Sequence, residues 1–161
     1  MIIHSLEWKD NKLYLLDQTR LPGTYVYLEY SDYLKVADAI KNLVVRGAPA
    51  IGIAAAYGML LAYQNLSRDC QDIATIEKRF LYAADTMKMA RPTAVNLFWA
   101  VDEMIKVFKI DGKNPIKNLK MYINQCPSSF HSIATLKQLT EPINKEEATK
   151  MFEKIKKEII I

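Results

Sequence analysis

Two arginines stand shortly before prolines in settings that suit an anion. The first opens the run Arg46-Gly47-Ala48-Pro49-Ala50-Ile51-Gly52-Ile53-Ala54-Ala55-Ala56-Tyr57-Gly58, in which a cation and a glycine precede a stretch of small residues. Gly47 has no Cβ, so its backbone can approach a ligand closely, and Pro49 suits the first turn of a helix. Unpaired N–H groups at such a turn carry the positive end of the helix dipole, and the Arg46 guanidinium offers a planar fork to phosphate oxygens. The second arginine opens Arg91-Pro92-Thr93-Ala94-Val95-Asn96-Leu97-Phe98-Trp99. Proline disfavours the helical region for the residue before it and is well placed at a helix start, so a helix is predicted from Pro92 with Arg91 at its head. Two guanidinium groups can share the oxygens of one phosphate. Residue types alone leave a second reading open, in which Gly52, Ala54, Ala55, Ala56 and Gly58 pack a buried helix tightly and both arginines are surface cations.

The elements that must position these residues follow from periodicity and turn chemistry. Residues 2–8, 13–18 and 24–30 are rich in β-branched, leucine and aromatic residues, and Asp10-Asn11 and Pro22-Gly23 separate them. They predict a three-stranded antiparallel meander. Ser31 can cap the next helix, in which Leu34, Ala37, Ile40, Leu43 and Val44 recur on one face and lead the chain to Arg46. Further helices are predicted at 49–63, at 72–89 with Ile73, Ile76, Phe80, Ala83, Ala84 and Met87 inward, and from Pro92 to Ile110. The turn signal Asp111-Gly112-Lys113-Asn114-Pro115 then opens a different region. Short helical patterns occupy 116–124 and 129–139 around Cys126-Pro127-Ser128-Ser129, and Asn144-Lys145-Glu146-Glu147 has the form of a capping box. The fold class is α+β, a meander followed by a helical bundle.

Composition narrows the function. The chain has 161 residues, half of them hydrophobic and a quarter charged. That length suffices for one domain burying roughly 68 to 70% of its unfolded surface, without disulfides or metal. The net charge of +4 could suggest nucleic acid, but the lysines from Lys137 onward alternate with glutamates, as on a solvated helix face. Tyr25, Tyr27 and Tyr30 lie in a strand-like run and read as sheet packing, so no nucleic-acid partner is expected. The start Met1-Ile2-Ile3-His4-Ser5-Leu6-Glu7 has neither a basic leader nor a long apolar region, and Gly, Pro, Gln64 and Asn65 interrupt the uncharged stretch 47–67. No secretory signal and no membrane span are expected, and the chain reads as cytoplasmic. Cys70 and Cys126 are far apart and His4 and His131 lack partners at ligand spacing, so free thiols, no metal and no cofactor are expected.

The Arg46 to Gly58 string, over more than a dozen consecutive positions, resembles the signature of methylthioribose-1-phosphate isomerase, the aldose-to-ketose isomerase of methionine salvage. Leu6-Glu7-Trp8 with Leu13-Tyr14-Leu15-Leu16-Asp17-Gln18-Thr19-Arg20-Leu21-Pro22 resembles that family's amino-terminal strands, and Arg91 to Val101 matches a third segment. Regulatory subunits of the eukaryotic initiation factor 2B, and ribose-1,5-bisphosphate isomerases, share the general architecture and fit the first two segments less well. The resemblance implies that Arg46, Gly47, Ala48 and Arg91 hold the phosphate and sugar of a small-molecule sugar phosphate. It assigns residues 1–110 to the family's amino-terminal substrate-binding domain and leaves 111–161 as a helical tail with no assigned relationship.

Family members run to roughly twice this length and are typically homodimers. Their second, Rossmann-like α/β domain supplies a catalytic cysteine in a Thr-His-Cys-Asn type run and a catalytic aspartate, and neither motif occurs here. Cys126 lies in Gln125-Cys126-Pro127-Ser128 and does not match, so no catalytic residue is assigned. The expectation is therefore an amino-terminal portion of the isomerase that lacks the second domain and is inactive alone. A non-catalytic sugar-phosphate-sensing subunit, like those of initiation factor 2B, is the alternative.

Overall fold

Asp10 and Asn11 both adopt positive φ, 52° and 58°, in a computed structural model that describes residues 3–110. Two such residues between paired strands make the mirror-image turn whose twist matches a hairpin, and Lys9 and Lys12 pair across it. The strands are β1 (Leu6–Lys9), β2 (Lys12–Leu16) and β3 (Tyr27–Tyr30), in the order β1-β2-β3 and antiparallel throughout. They are shorter than expected. Asp17 leaves β2 to cap a single 3-10 turn at Gln18–Arg20, and β3 begins only at Tyr27.

The register places Leu6 opposite Leu15, Trp8 opposite Leu13 and Leu13 opposite Tyr30, so one face of the sheet is apolar. Leu6, Leu13, Leu15 and Tyr30 are buried on that face. The other face is polar across its middle, with Glu29 accepting from Lys12 Nζ at 2.6 Å and from the Tyr14 hydroxyl at 2.8 Å, while Leu16 at the end of β2 is buried. A meander half buried in this way needs a layer of helices on its apolar side.

That layer comprises α1 (Tyr33–Lys41), α2 (Ala48–Asp69), α3 (Ile73–Met89) and α4 (Val95–Ile110). The expected meander and helical bundle are what the chain forms. The helical patterns after Ile110, and the assignment of 111–161, lie outside the described residues. α2 is the axis, with every residue from Ala50 to Gln64 buried and α1, α3, α4 and the sheet all packed on it. A helix apolar all round must be enclosed, and its small side chains let the neighbours approach. A Cβ on Gly58 would lie 2.5 Å from Met87 Cε and 3.2 Å from Val36 Cγ1, so α1, α2 and α3 meet there. Trp8 stacks on Tyr57 at 4.8 Å between ring centroids and fastens the sheet to α2.

Several boundaries differ from expectation. Asp32, not Ser31, caps α1, its carboxylate accepting from the Leu34 N–H at 2.9 Å. The Ser31 carbonyl instead accepts from Asn65 Nδ2 at 3.2 Å. The buried face of α1 is Val36, Ala37, Ala39 and Ile40, whereas Leu34 and Leu43 are exposed. Ile73 is exposed too, because it is the first residue of α3 and precedes the turns that reach the core. α2 continues past residue 63 to Asp69, since Gln64 to Asp69 contain no Gly or Pro to stop it. Even so, among the described residues no helix is long and apolar enough to cross a membrane.

Candidate functional site

The chain reaches Arg46 through the end of α1. There the Leu43 N–H donates to the Ile40 carbonyl at 3.3 Å and the Val44 N–H to the Ala39 carbonyl at 2.9 Å. With Leu43 at φ 62°, this is a Schellman termination that occupies carbonyls the helix leaves open. Val45 then inserts into the core and Arg46 emerges at the surface.

Gln18 grips both sides of this segment. Its N–H donates to the Val44 carbonyl at 2.9 Å, and its own carbonyl accepts from Arg46 Nη2 at 3.1 Å. Arg46 is thus tied to the 3-10 turn by one edge of its guanidinium. The turn is organised by Asp17, which is only 6% exposed. Asp17 Oδ1 accepts from the Thr19 N–H at 3.0 Å and from the Thr19 hydroxyl, and Oδ2 accepts from Arg20 Nε at 3.1 Å. The Thr19 hydroxyl holds the Asp17 carboxyl below the usual carboxylate range, against the opposing effect of burial.

Gly47 is the N-cap of α2, with φ 91° and ψ 131°, a conformation that L side chains rarely adopt. No side chain caps this helix start. The Ile51 N–H donates to the Gly47 carbonyl at 3.0 Å, Pro49 has no N–H, and helical geometry leaves the amides of Ala48 and Ala50 without a partner one turn back. A Cβ on Gly47 would meet nothing within 4 Å, so the cap is open on that side. An exposed helix head with unpaired amides and an adjacent guanidinium can receive an oxyanion.

Arg91 lies differently from the expectation of a helix from Pro92. The Ala94 N–H closes a turn onto the Arg91 carbonyl at 3.0 Å, and the Ala94 carbonyl then accepts from Leu97 and Phe98, so α4 begins at Val95. Pro92 and Thr93 serve the turn instead of the first helical turn, and Arg91 stands four residues ahead of α4, half-buried. Among the described residues it makes no ion pair.

The heads of α2 and α4 share one end of the bundle. A Cβ on Gly52 would lie 3.2 Å from the Asn96 carbonyl oxygen, and further along the same two helices the Tyr63 and Phe108 rings are 5.7 Å apart. Contacts in the same order on both helices make them parallel, so their positive dipole ends add at one face. Cys70, the C-cap of α2, is at the other end of that helix. Cys126 and His131 lie outside the described residues, among which no group of three His, Cys, Asp or Glu could hold a metal ion. Sequence reasoning missed Asp17 and Gln18 as parts of this surroundings. The signal was present in the Leu16-Asp17-Gln18-Thr19-Arg20 segment, whose aspartate two residues before threonine can form a side-chain turn.

A sequence profile of the initiation factor 2 subunit family matches residues 44–160, more than half of the chain and on both sides of Ile110. Methylthioribose-1-phosphate isomerase 2 of Pseudothermotoga lettingae is 49% identical over 122 residues, 75% of this chain and 34% of that protein. Methylthioribose-1-phosphate isomerase of Geobacter sulfurreducens is 43% identical over 120 residues, 74% of this chain and 34% of that protein. The chain thus spans about a third of the length of the curated relatives it matches. The crystal structure of 5-methylthioribose 1-phosphate isomerase from Pyrococcus horikoshii superposes with a TM-score of 0.68 at 34% identity, over 79% of this chain and 35% of that one. That of translation initiation factor eIF-2B, subunit delta, from A. fulgidus gives 0.69 at 34% identity, over 76% and 36%. Backbone likeness alone does not separate these two relatives.

Proposed function

This chain belongs to the initiation factor 2 subunit family, and we propose that it is the amino-terminal, substrate-binding portion of a methylthioribose-1-phosphate isomerase. The observation that carries this reading is the open Gly47 cap beside Arg46, at the end of the bundle where α2 and α4 both begin. The named isomerase relatives support the choice of a sugar phosphate as ligand. In this reading Arg46, Gly47 and Ala48 take the phosphate, and Arg91 reaches the same ligand from the turn before α4.

Converting a ring-closed aldose 1-phosphate to an open ketose 1-phosphate requires ring opening and then transfer of hydrogen from C2 to C1. Those steps need a positioned acid and base. A phosphate clamp fixes where the sugar carbons lie but moves no proton. No catalytic residue is assigned to this chain, because His4, Cys126 and His131 lack the context of the family's acid and base. The isolated chain therefore binds the substrate and does not turn it over.

Calorimetric titration of the 161-residue chain with methylthioribose 1-phosphate tests the binding. Arg46→Ala is expected to weaken it by about 1.5 to 3 kcal/mol, the range for hydrogen bonds to charged groups. An unchanged affinity returns Arg46 to a surface cation and defeats the reading. The likeness to the A. fulgidus initiation-factor subunit favours a second reading, a cytoplasmic sugar-phosphate-sensing subunit without catalysis. Binding without turnover by the complete gene product would select it.

A further inference from the structure

The Gln18–Thr19 peptide unit joins the Asp17 network to Arg46. A peptide unit is planar, with its C=O and N–H pointing to opposite sides. At one edge of this unit the Thr19 N–H donates to Asp17 Oδ1 at 3.0 Å, and at the opposite edge the Gln18 carbonyl accepts from Arg46 Nη2 at 3.1 Å. The two hydrogen bonds are therefore linked through a single rigid group, and each polarises the other.

Several features restrict this plane. The Gln18 N–H is held by the Val44 carbonyl, and the Asp17 N–H by the Val26 carbonyl at 2.8 Å. Asp17 itself is buried, and its second oxygen is engaged by Arg20. The buried carboxylate turns most of its acceptor positions to the Thr19 amide, the Thr19 hydroxyl and the Arg20 guanidinium, so it acts on its own turn and not directly on a ligand. What it can do is set the angle of the Gln18 carbonyl.

We propose that Asp17 is a positioning residue for the anion site: through the Gln18–Thr19 amide plane it aims the Arg46 guanidinium, leaving the remaining N–H groups of that fork free for a phosphate. The proposal rests on the phosphate-binding reading of Arg46. A long cationic side chain held before the ligand arrives loses less freedom on binding, and that saving appears as affinity. Removing the carboxylate leaves only the backbone bonds to Val44 and Val26 to restrain the turn, so the Gln18 carbonyl can tilt and Arg46 is held less firmly.

The test is a mutant cycle read by titration of the 161-residue chain with inorganic phosphate. Asp17→Ala is expected to weaken phosphate binding about three- to ten-fold, the cost of ordering one flexible side chain. Asp17→Asn keeps an oxygen for the Thr19 amide and recovers most of that loss. In an Arg46→Met background Asp17→Ala has no further effect, because there is no guanidinium left to aim. Should Asp17→Ala fail to fold, Asp17→Ser takes its place in the cycle, since its hydroxyl is a weaker acceptor for the same amide. Additive losses in the double variant would assign Asp17 a structural role only and overturn the proposal, as would Asp17→Asn binding as weakly as Asp17→Ala. If instead Arg46→Met alone binds phosphate like the wild type, the anion-site reading itself falls and the proposal with it.

Discussion

Gly52 faces the carbonyl oxygen of Asn96 so closely that a Cβ added to Gly52 would sit 3.2 Å from it. The neighbour is backbone in the first turn of α4, so it cannot rotate away, and the separation of the two helix heads is set by the absence of a side chain at position 52. Alanine here gains up to about 1 kcal/mol of helix propensity and loses a similar amount to the tight contact. Gly52→Ala is therefore expected to be near neutral. Gly52→Val must push α4 outward and is expected to cost about 1 to 3 kcal/mol. Urea unfolding of both variants checks this, and equal stabilities would show that the heads of α2 and α4 are not in contact in solution.

At Gly47 the opposite balance holds, since the added Cβ meets no atom within 4 Å but the backbone is at φ 91°. Any loss on substitution then comes from conformation, not crowding. Gly47→Ala and Gly47→Val are both expected to destabilise by about 1 to 3 kcal/mol, the cost of holding an L-residue in a sparsely populated region. A midpoint shift in urea of the alanine variant no larger than that of an ordinary surface substitution would mean that the cap relaxes to a conformation open to any residue.

Leu43 is a leucine where helix terminations of this kind usually place glycine, with φ 62° and an exposed side chain. The left-handed conformation costs an L-residue about 1 to 2 kcal/mol, and glycine loses about 0.5 to 1 kcal/mol more backbone entropy on folding. Leu43→Gly is thus expected to stabilise the protein by about 0.5 to 1 kcal/mol, read as a higher melting temperature. A lower one would show that Leu43 contributes packing that outweighs its backbone strain.

The contrast between Leu43 and Gly47 shows what was legible in the sequence. Gly47 announces a positive φ because glycine tolerates it, and Asp10-Asn11 announces a turn for a related reason. Leu43 gives no such sign, since its conformation is imposed by the two hydrogen bonds that end α1. Spacing places Leu43 on the apolar face of a helix, but α1 ends at Lys41 and does not reach it. The inward faces of α1 and α3 are readable from periodicity, the meander from strand-forming residues between turn signals, and the enclosure of α2 from its run of small apolar residues. The start of α4 is not, because proline suits a turn and a first helical turn equally well, and the Ala94 to Arg91 bond decides between them. The parallel alignment of α2 and α4, and the Gln18 clasp on Arg46, are contacts between residues distant in sequence and leave no trace in local patterns.

Tyr57 supplies a pH test of the core. It is 2% exposed and stacked on Trp8, and burial pushes its hydroxyl up to about 12 from the ordinary value of 10.0. The charged form of tyrosine is the deprotonated one, so burial disfavours it. Unfolded chains release this proton near the ordinary value, whereas the folded protein retains it to about 12. In that window the unfolded state binds fewer protons, and stability falls as pH rises. The contribution is whole below the ordinary value and gone above about 12, and a shift of this size corresponds to roughly 2 to 3 kcal/mol. Phenylalanine keeps the ring and its stack on Trp8 without a group to titrate. Tyr57→Phe is therefore expected to unfold at the same or slightly higher urea concentration near neutrality, and to lose less stability than the wild type as pH is raised from about 9 to 11.5. Because Tyr30, Tyr33 and Tyr63 are also raised by burial, part of the alkaline slope survives in the variant, and the difference between the two proteins is what reports Tyr57. Identical slopes would place the hydroxyl in contact with solvent and remove the dry interface between β1 and α2.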